Sequence, residues 1–96
     1  MNDNQIIDLF WAKNQLAISA TAEKYGSYCF SVAYNILYDR LDSEECVNDT
    51  YLGAWNSIPP QKPNRLLAFL GKITRNLALN RYKRNRAAKR GYGQVE

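Results

Sequence analysis

The residues with the clearest chemical potential lie between Asn64 and Arg86, where arginine, lysine and asparagine crowd the second half of the stretch. That half contains no acidic residue, whereas the first half carries apolar residues at helical spacing. Arginine and lysine side chains supply positive charge and donate hydrogen bonds, and asparagine both donates and accepts. The pattern predicts a helix that is anchored in a core at one end and offers the other end to a polyanion.

Charge is distributed unevenly along this chain of 96 residues, whose net charge is +4. Residues 1–49 hold eight acids and three bases, whereas residues 50–96 hold ten bases and one acid. The division favours two surfaces for two partners, and the basic half is typical of a nucleic-acid site. On charge alone, a solvated basic tail remains the alternative.

Several function classes are disfavoured by composition. The chain has no histidine, so the usual general base and the commonest metal ligand are missing. Cys29 and Cys46 have no second ligand pair at zinc-site spacing, and we expect them to be free buried thiols in a reducing cytosol. No carboxylate pair or glycine-rich phosphate loop stands out, so we predict neither an enzyme nor a cofactor. Because the N-terminus has no secretory pattern and no apolar run approaches the roughly 20 residues of a membrane span, we expect a cytoplasmic protein without membrane contact.

The apolar spacing predicts an all-α domain, a compact bundle of four helices with a long basic C-terminal helix. We place the helices at about residues 4–18, 20–38, 43–57 and 64–88. Adjacent prolines after the third helix predict a stiff loop, and Gly91 and Gly93 are expected to end the fourth helix.

Short polar side chains mark the expected helix starts. Asp3 or Asn4 is the expected cap of the first helix, and Asn64 is the expected cap of the fourth. Asp42 and Glu45 form a capping-box pattern that predicts the start of the third helix.

The third and fourth helices each present a distinctive outward face. On the third helix an exposed leucine lies among acids and amides, which indicates either a protein partner or a plain solvated face. This face contains Glu45, Asn48, Asp49, Leu52 and Asn56. The outward face of the fourth helix contains Lys72, Arg75, Asn76, Leu79, Asn80, Lys83 and Arg84.

Two segments, Asp42–Trp55 and Phe69–Arg84, together resemble the region-2 domain of bacterial RNA polymerase sigma factors, specifically the extracytoplasmic function (ECF) class. The first reads DSEECVNDTYLGAW and the second FLGKITRNLALNRYKR. The family pattern is similar to DAED-hydrophobic-VQETFLxAW, a proline-containing loop, and then FLxxIARNLALDRxRR. Matches in this order cover roughly residues 20–90. The resemblance implies a transcription initiation factor.

The same resemblance implies two binding surfaces. In the family the third helix docks on the clamp helices of the largest polymerase subunit, and the matching positions here are Glu45, Asn48, Asp49 and Leu52. The loop before the fourth helix receives a base flipped out of the non-template strand, and the fourth helix reads and helps to melt the promoter minus-ten element. The DNA-binding candidates carried over by position are Lys62, Asn64, Arg65, Lys72, Arg75, Asn76, Asn80, Lys83 and Arg84.

Physical chemistry divides these DNA candidates into two groups. Asn76 and Asn80 lie one helical turn apart and are the better candidates for base edges, because an amide both donates and accepts. The helix bases are expected to neutralise phosphates without reading sequence, and they are Lys72, Arg75, Lys83 and Arg84.

The chain departs from the family pattern at several points. Asn48 and Asp49 replace a glutamine-glutamate pair, and each is shorter by one methylene. Asn80 stands where the family often has aspartate, and the loop has no aromatic residue for stacking. Whole ECF factors also carry a helix-turn-helix region-4 domain. We therefore expect residues 1–90 to form the region-2 domain and residues 91–96 to begin a linker to a domain that this sequence lacks.

Two other functions stay open at this point. One is a helical nucleic-acid-binding adaptor that does not touch polymerase. The other is a protein-interaction module whose basic helix meets an acidic protein, such as an anti-sigma factor. An anti-sigma partner is also compatible with a sigma factor, because such inhibitors typically cover these same surfaces.

Overall fold

Four α-helices make up the secondary structure in the described part of the chain. The structure is a computed structural model that describes the backbone of residues 1–95 and the side chains of residues 1–87. The helices are α1 (Asp3–Trp11), α2 (Leu16–Leu37), α3 (Arg40–Ser57) and α4 (Leu66–Val95). No strand occurs within residues 1–95. The predicted all-α fold with a long C-terminal helix is confirmed.

The first helix is shorter than the predicted 4–18, because the chain turns after Trp11. Its cap is Asn2, not Asp3 or Asn4: the Asn2 side chain accepts from the Gln5 amide at 2.8 Å, and the Gln5 side chain accepts from the Asn2 amide at 2.9 Å. Lys13 then adopts a left-handed conformation with φ of 54°. No glycine or proline marks the break between α1 and α2. The apolar residues on both sides of it therefore have the spacing of a single helix, which is what the sequence predicts.

The third helix begins three residues before the predicted capping box. Asp39 is the cap, and its side chain accepts from the Asp42 amide at 2.8 Å. Asp42 therefore lies inside the first turn, and its carboxylate is not the cap that the sequence predicts. As a result, the carboxylates of Asp42 and Glu45 are available to another helix.

The fourth helix begins at Leu66, so Asn64 is not its cap. The carbonyl of Arg65 instead accepts the first hydrogen bond, from the Phe69 amide at 3.1 Å. The helix also continues through Gly91 and Gly93 to Val95, which corrects the predicted end. A helical glycine is unfavourable by about 1 kcal/mol relative to alanine, but it does not force the chain to turn.

Residue pairs in contact fix the helix directions. Tyr28 lies against Gly71, and Ala33 packs near Ala78, so α2 and α4 run parallel. Thr50 contacts Thr74, and α3 runs antiparallel to α4. The main core is formed by side chains from all four helices and by Ile58, and its fully buried members include Ile6, Phe10, Ala17, Cys29, Ala54, Ile58, Leu66 and Leu70. A second, smaller cluster contains Ala33, Cys46 and Ala78.

Both cysteines are free and buried, as predicted. Burial raises the pKa of the Cys29 thiol and of the Cys46 thiol, because a thiolate is poorly solvated in an apolar surrounding.

Candidate protein and nucleic-acid interfaces

The four residues predicted to bind polymerase, here called the α3 stripe, lie on one exposed face of α3. They are Glu45, Asn48, Asp49 and Leu52. The opposite face buries Cys46, Thr50 and Ala54 against the bundle. Leu52 is 56% exposed, so its apolar side chain is accessible to a partner. The α3 stripe is thus a polar surface with one apolar residue at its C-terminal end.

One member of the α3 stripe is already engaged within the molecule. A carboxylate oxygen of Glu45 accepts a hydrogen bond from Arg81 of α4. Within the described side chains, Asn48 and Asp49 have neither a side-chain hydrogen bond nor an ion pair. The surface available to a partner is therefore centred on Asn48, Asp49 and Leu52.

The six predicted DNA-contacting residues of α4, here called the α4 face, are all exposed. They are Lys72, Arg75, Asn76, Asn80, Lys83 and Arg84. Asn76 and Asn80 are separated by about 6 Å along the helix axis, close to twice the rise of a base pair. The two amides lie among cations that form no ion pair in the part of the chain that is described. The arrangement can hold a polyanion and place two amides against it.

The loop between α3 and α4 has fixed ends and an exposed middle. Ile58 and Leu66 at its two ends are fully buried, so the loop is anchored in the core on both sides. Between them the predicted DNA contacts Lys62, Asn64 and Arg65 are all exposed. The loop can therefore present three hydrogen-bonding side chains from a defined position.

A contact that sequence reasoning missed fastens the last turn of α3. The ammonium group of Lys13 donates to the carbonyl of Trp55 at 2.7 Å and lies 4.8 Å from the centre of the Trp55 ring. Carbonyls in the last turn of a helix have no partner within the helix, and a cation there is favoured by the helix dipole. No pattern in the sequence predicts a contact between Lys13 and Trp55, which lie 42 positions apart.

A second missed feature, here called the Arg81 cluster, joins α3 to α4. It consists of Asp42, Glu45, Arg81 and Asn85. One guanidinium nitrogen of Arg81 lies 3.8 Å from Asp42 Oδ1, the other donates to Glu45, and Asn85 Nδ2 donates to Asp42 Oδ2 at 3.1 Å. The acids at the start of α3 gave a partial signal, but sequence reasoning assigned them to helix capping.

An open groove of about 630 Å³ lies between α2 and α3. Small α2 residues such as Gly26 and Ser27 line one wall, and Asn48 and Tyr51 line the other. Asn48 thus belongs both to this groove and to the α3 stripe. Among the described residues there is no group of metal-ligating side chains, and none of the helices is long and apolar enough to cross a membrane.

One comparison with known proteins gave a match. A family model for sigma-70 region 2 matches residues 21–88, which include most of α2, all of α3 and most of α4. Searches of curated proteins and of solved structures returned no match.

Proposed function

We propose that this chain, which belongs to the sigma-70 region 2 family and so has a role in transcription initiation and promoter recognition, acts as an ECF-class factor. In this proposal the α3 stripe docks on the clamp helices of RNA polymerase, and the α4 face and the preceding loop bind the promoter minus-ten element. The factor would act in the cytoplasm, where the polymerase is. An anti-sigma factor would inhibit it by covering these surfaces.

The observation that carries the docking proposal is the exposure of Asn48, Asp49 and Leu52 on one face of α3. The substitution Leu52→Ala would remove the apolar side chain that is best placed to enter a pocket on the partner. The rim amide and carboxylate would set orientation and association rate.

We expect the double variant Asn48→Ala/Asp49→Ala to bind core polymerase about tenfold more weakly than the wild type, because the polar contacts at the rim of the interface would be lost. Surface plasmon resonance with immobilised core polymerase measures this. The matched control is Asn4→Ala/Asp8→Ala, which removes an exposed amide and an exposed carboxylate from α1. Equal affinity of the two variants would contradict the docking assignment.

The DNA proposal is carried by two exposed amides, Asn76 and Asn80, on a helix face that is otherwise basic. Cations on this face would bind the phosphates, and the amides would contact base edges. A base held outside the stack costs a few kcal/mol, which the loop residues Lys62, Asn64 and Arg65 would have to offset. That cost favours an easily opened A·T-rich element.

We expect Asn80→Ala to weaken binding of the non-template minus-ten oligonucleotide by roughly fivefold to a hundredfold and to relax its sequence preference. The measurement is fluorescence anisotropy with fluorescein-labelled single strands that carry A·T-rich variants. Asn35→Ala, which removes an exposed amide from α2, is the control and should bind as the wild type does. Sequence-independent binding that is unaffected by Asn80→Ala would instead favour an adaptor that acts without polymerase.

The proposed ECF class also predicts that the gene encodes a further domain. If residues 91–96 begin a linker, the natural reading frame continues after Glu96 into a helix-turn-helix domain. Sequencing that region checks the assignment without any protein chemistry.

A further inference from the structure

We propose that the Arg81 cluster fixes residues 79–87 of α4, which carry Asn80, Lys83 and Arg84 of the α4 face, on α3. In this proposal Arg81 is a positioning residue and not a ligand of DNA phosphate. The proposal rests on the proposed DNA-binding role of the α4 face. It assigns a function to a basic residue that lies between two candidate DNA contacts, Asn80 and Lys83.

Apolar packing holds only the first part of α4. Ala78 is the last buried residue of the helix within the described side chains, and residues 79–87 are half-buried or exposed. Three members of the α4 face, Asn80, Lys83 and Arg84, come after this point. Core burial therefore acts on them only through the continuity of the helix, and any direct attachment of this part to the bundle comes from other contacts.

The Arg81 cluster supplies such contacts. Arg81 and Asn85 lie one turn apart, and both reach Asp42 in the first turn of α3. Asp42 is itself held, because its amide donates to the capping carboxylate of Asp39 at 2.8 Å. Arg81 also donates to Glu45, so two turns of α4 are bonded to two positions on a fixed helix end.

The charge of Arg81 is compensated inside the molecule. Its side chain is 24% exposed and that of Asp42 is 26% exposed. Burial opposes the charged guanidinium, but the hydrogen bond to Glu45 and the nearby carboxylates outweigh it and raise the pKa of Arg81. A guanidinium held between two carboxylates has little attraction left for a phosphate, and it should contribute little to the salt dependence of DNA binding.

Amide hydrogen exchange tests the positioning role without DNA. We expect Arg81→Met, which keeps an apolar stem, to reduce protection of amides 79–87 by about tenfold, with amides 25–33 of α2 unchanged. Asp42→Ala should give a similar loss, and the double variant should add little, because the two side chains belong to one contact. Arg81→Lys should restore part of the protection. The matched control is Arg84→Met, which removes an exposed arginine and should leave exchange unchanged.

Unchanged protection of amides 79–87 in Arg81→Met would overturn the proposal. Loss of protection throughout α2, α3 and α4 would also overturn it, because it would mean that the cluster supports the whole fold and not the orientation of one helix half.

Salt dependence of oligonucleotide binding separates positioning from phosphate contact. Arg81→Met should weaken binding several-fold without changing the slope of log K against log salt concentration. Arg84→Met should reduce the magnitude of that slope by about 0.7 if Arg84 contacts one phosphate of a single strand. A slope change in Arg81→Met equal to that in Arg84→Met would overturn the proposal. If even the wild-type chain fails to bind the oligonucleotide, the proposed DNA function fails, whereas the exchange experiment still decides the role of the cluster.

Discussion

At the scale of single residues, two buried threonines show how polar groups are accommodated in this core. Thr50 and Thr74 are fully buried, and their hydroxyl oxygens lie 2.8 Å apart. Each is also close to the carbonyl four residues earlier in its own helix, at 2.7 Å from Cys46 and 2.9 Å from Leu70. Since each hydroxyl has one proton, one threonine donates to the other, and the second donates to its own carbonyl. The pair thus joins α3 to α4 without leaving a buried oxygen unpaired.

This pairing predicts non-additive substitutions. We expect Thr50→Val and Thr74→Val each to lower the free energy of unfolding by about 1 kcal/mol. The double variant should lose less than the sum, because it leaves neither hydroxyl without its partner. Urea unfolding followed by circular dichroism measures all three. Thr21→Val is the matched control, because Thr21 is buried but bonds only the Ala17 carbonyl of its own helix. Additivity in the Thr50–Thr74 cycle would contradict the interhelical bond.

At the scale of the elements, the helix ends determine what the side chains can do. Asp39 and Asp42 are both aspartates near the start of α3, and either satisfies the sequence preference for a cap. Because the structure uses Asp39, the carboxylate of Asp42 points to α4 and joins the Arg81 cluster. A shift of three residues in one helix start therefore converts an expected local cap into a contact between helices.

The end of α3 leads to a prediction about Lys13. The substitution Lys13→Met keeps much of the side-chain stem but removes the ammonium group that donates to the Trp55 carbonyl. We expect amides in the last turn of α3 and the hydrogen-bonded amides of Ile58 and Gln61 to exchange about twofold to fivefold faster. Lys72→Met, at an exposed lysine of α4, is the control for loss of one positive charge. Equal exchange in both variants would show that Lys13 does not fasten the loop.

At the scale of the whole molecule, α1 is attached to the bundle partly through one carboxylate. Asp3 accepts from Lys24 at 2.8 Å and from the Tyr25 hydroxyl at 2.6 Å. The hydrogen bonds from Lys24 and Tyr25 hold the pKa of the Asp3 carboxyl group below its usual value. In the same contact, burial and the hydrogen bond to Asp3 raise the pKa of Tyr25.

Because the carboxyl pKa of Asp3 is lower in the folded state, the unfolded state binds more protons at a pH between the two pKa values. The stability that Asp3 contributes is therefore present above about pH 4 and is lost as the pH falls through the folded-state pKa. We expect Asp3→Asn to be less stable than the wild type by about 1 kcal/mol at pH 7 and nearly equal to it at the lowest pH at which both still fold. Urea unfolding from pH 7 downward measures the difference. Asp8→Asn, on the same helix, should not show it; a constant difference between Asp3→Asn and the wild type at all pH values would contradict the assignment.

The amino-acid sequence by itself determined the fold class, the order of acidic and basic segments along the chain and the exposure of every predicted contact residue. These depend on apolar spacing within single helices and on charge order along the chain, which are local properties. The family of the chain could also be predicted, because its two motifs lie within α3 and α4. No comparison or contact tests the individual binding roles of those residues, and these remain predictions.

Only the tertiary structure decided which charges were available. The sequence gives Arg81 the same chemistry as its exposed neighbour Arg84, and it gives Glu45 the same outward face as Asn48. Packing α3 antiparallel to α4 brings Glu45 and Asp42 onto Arg81 and leaves Asn48 and Arg84 exposed. The same packing brings Lys13 to the end of α3 across 42 residues of chain. The physical reason is that helical spacing specifies which face of a helix is polar, but the partner of a polar side chain depends on how the helices cross.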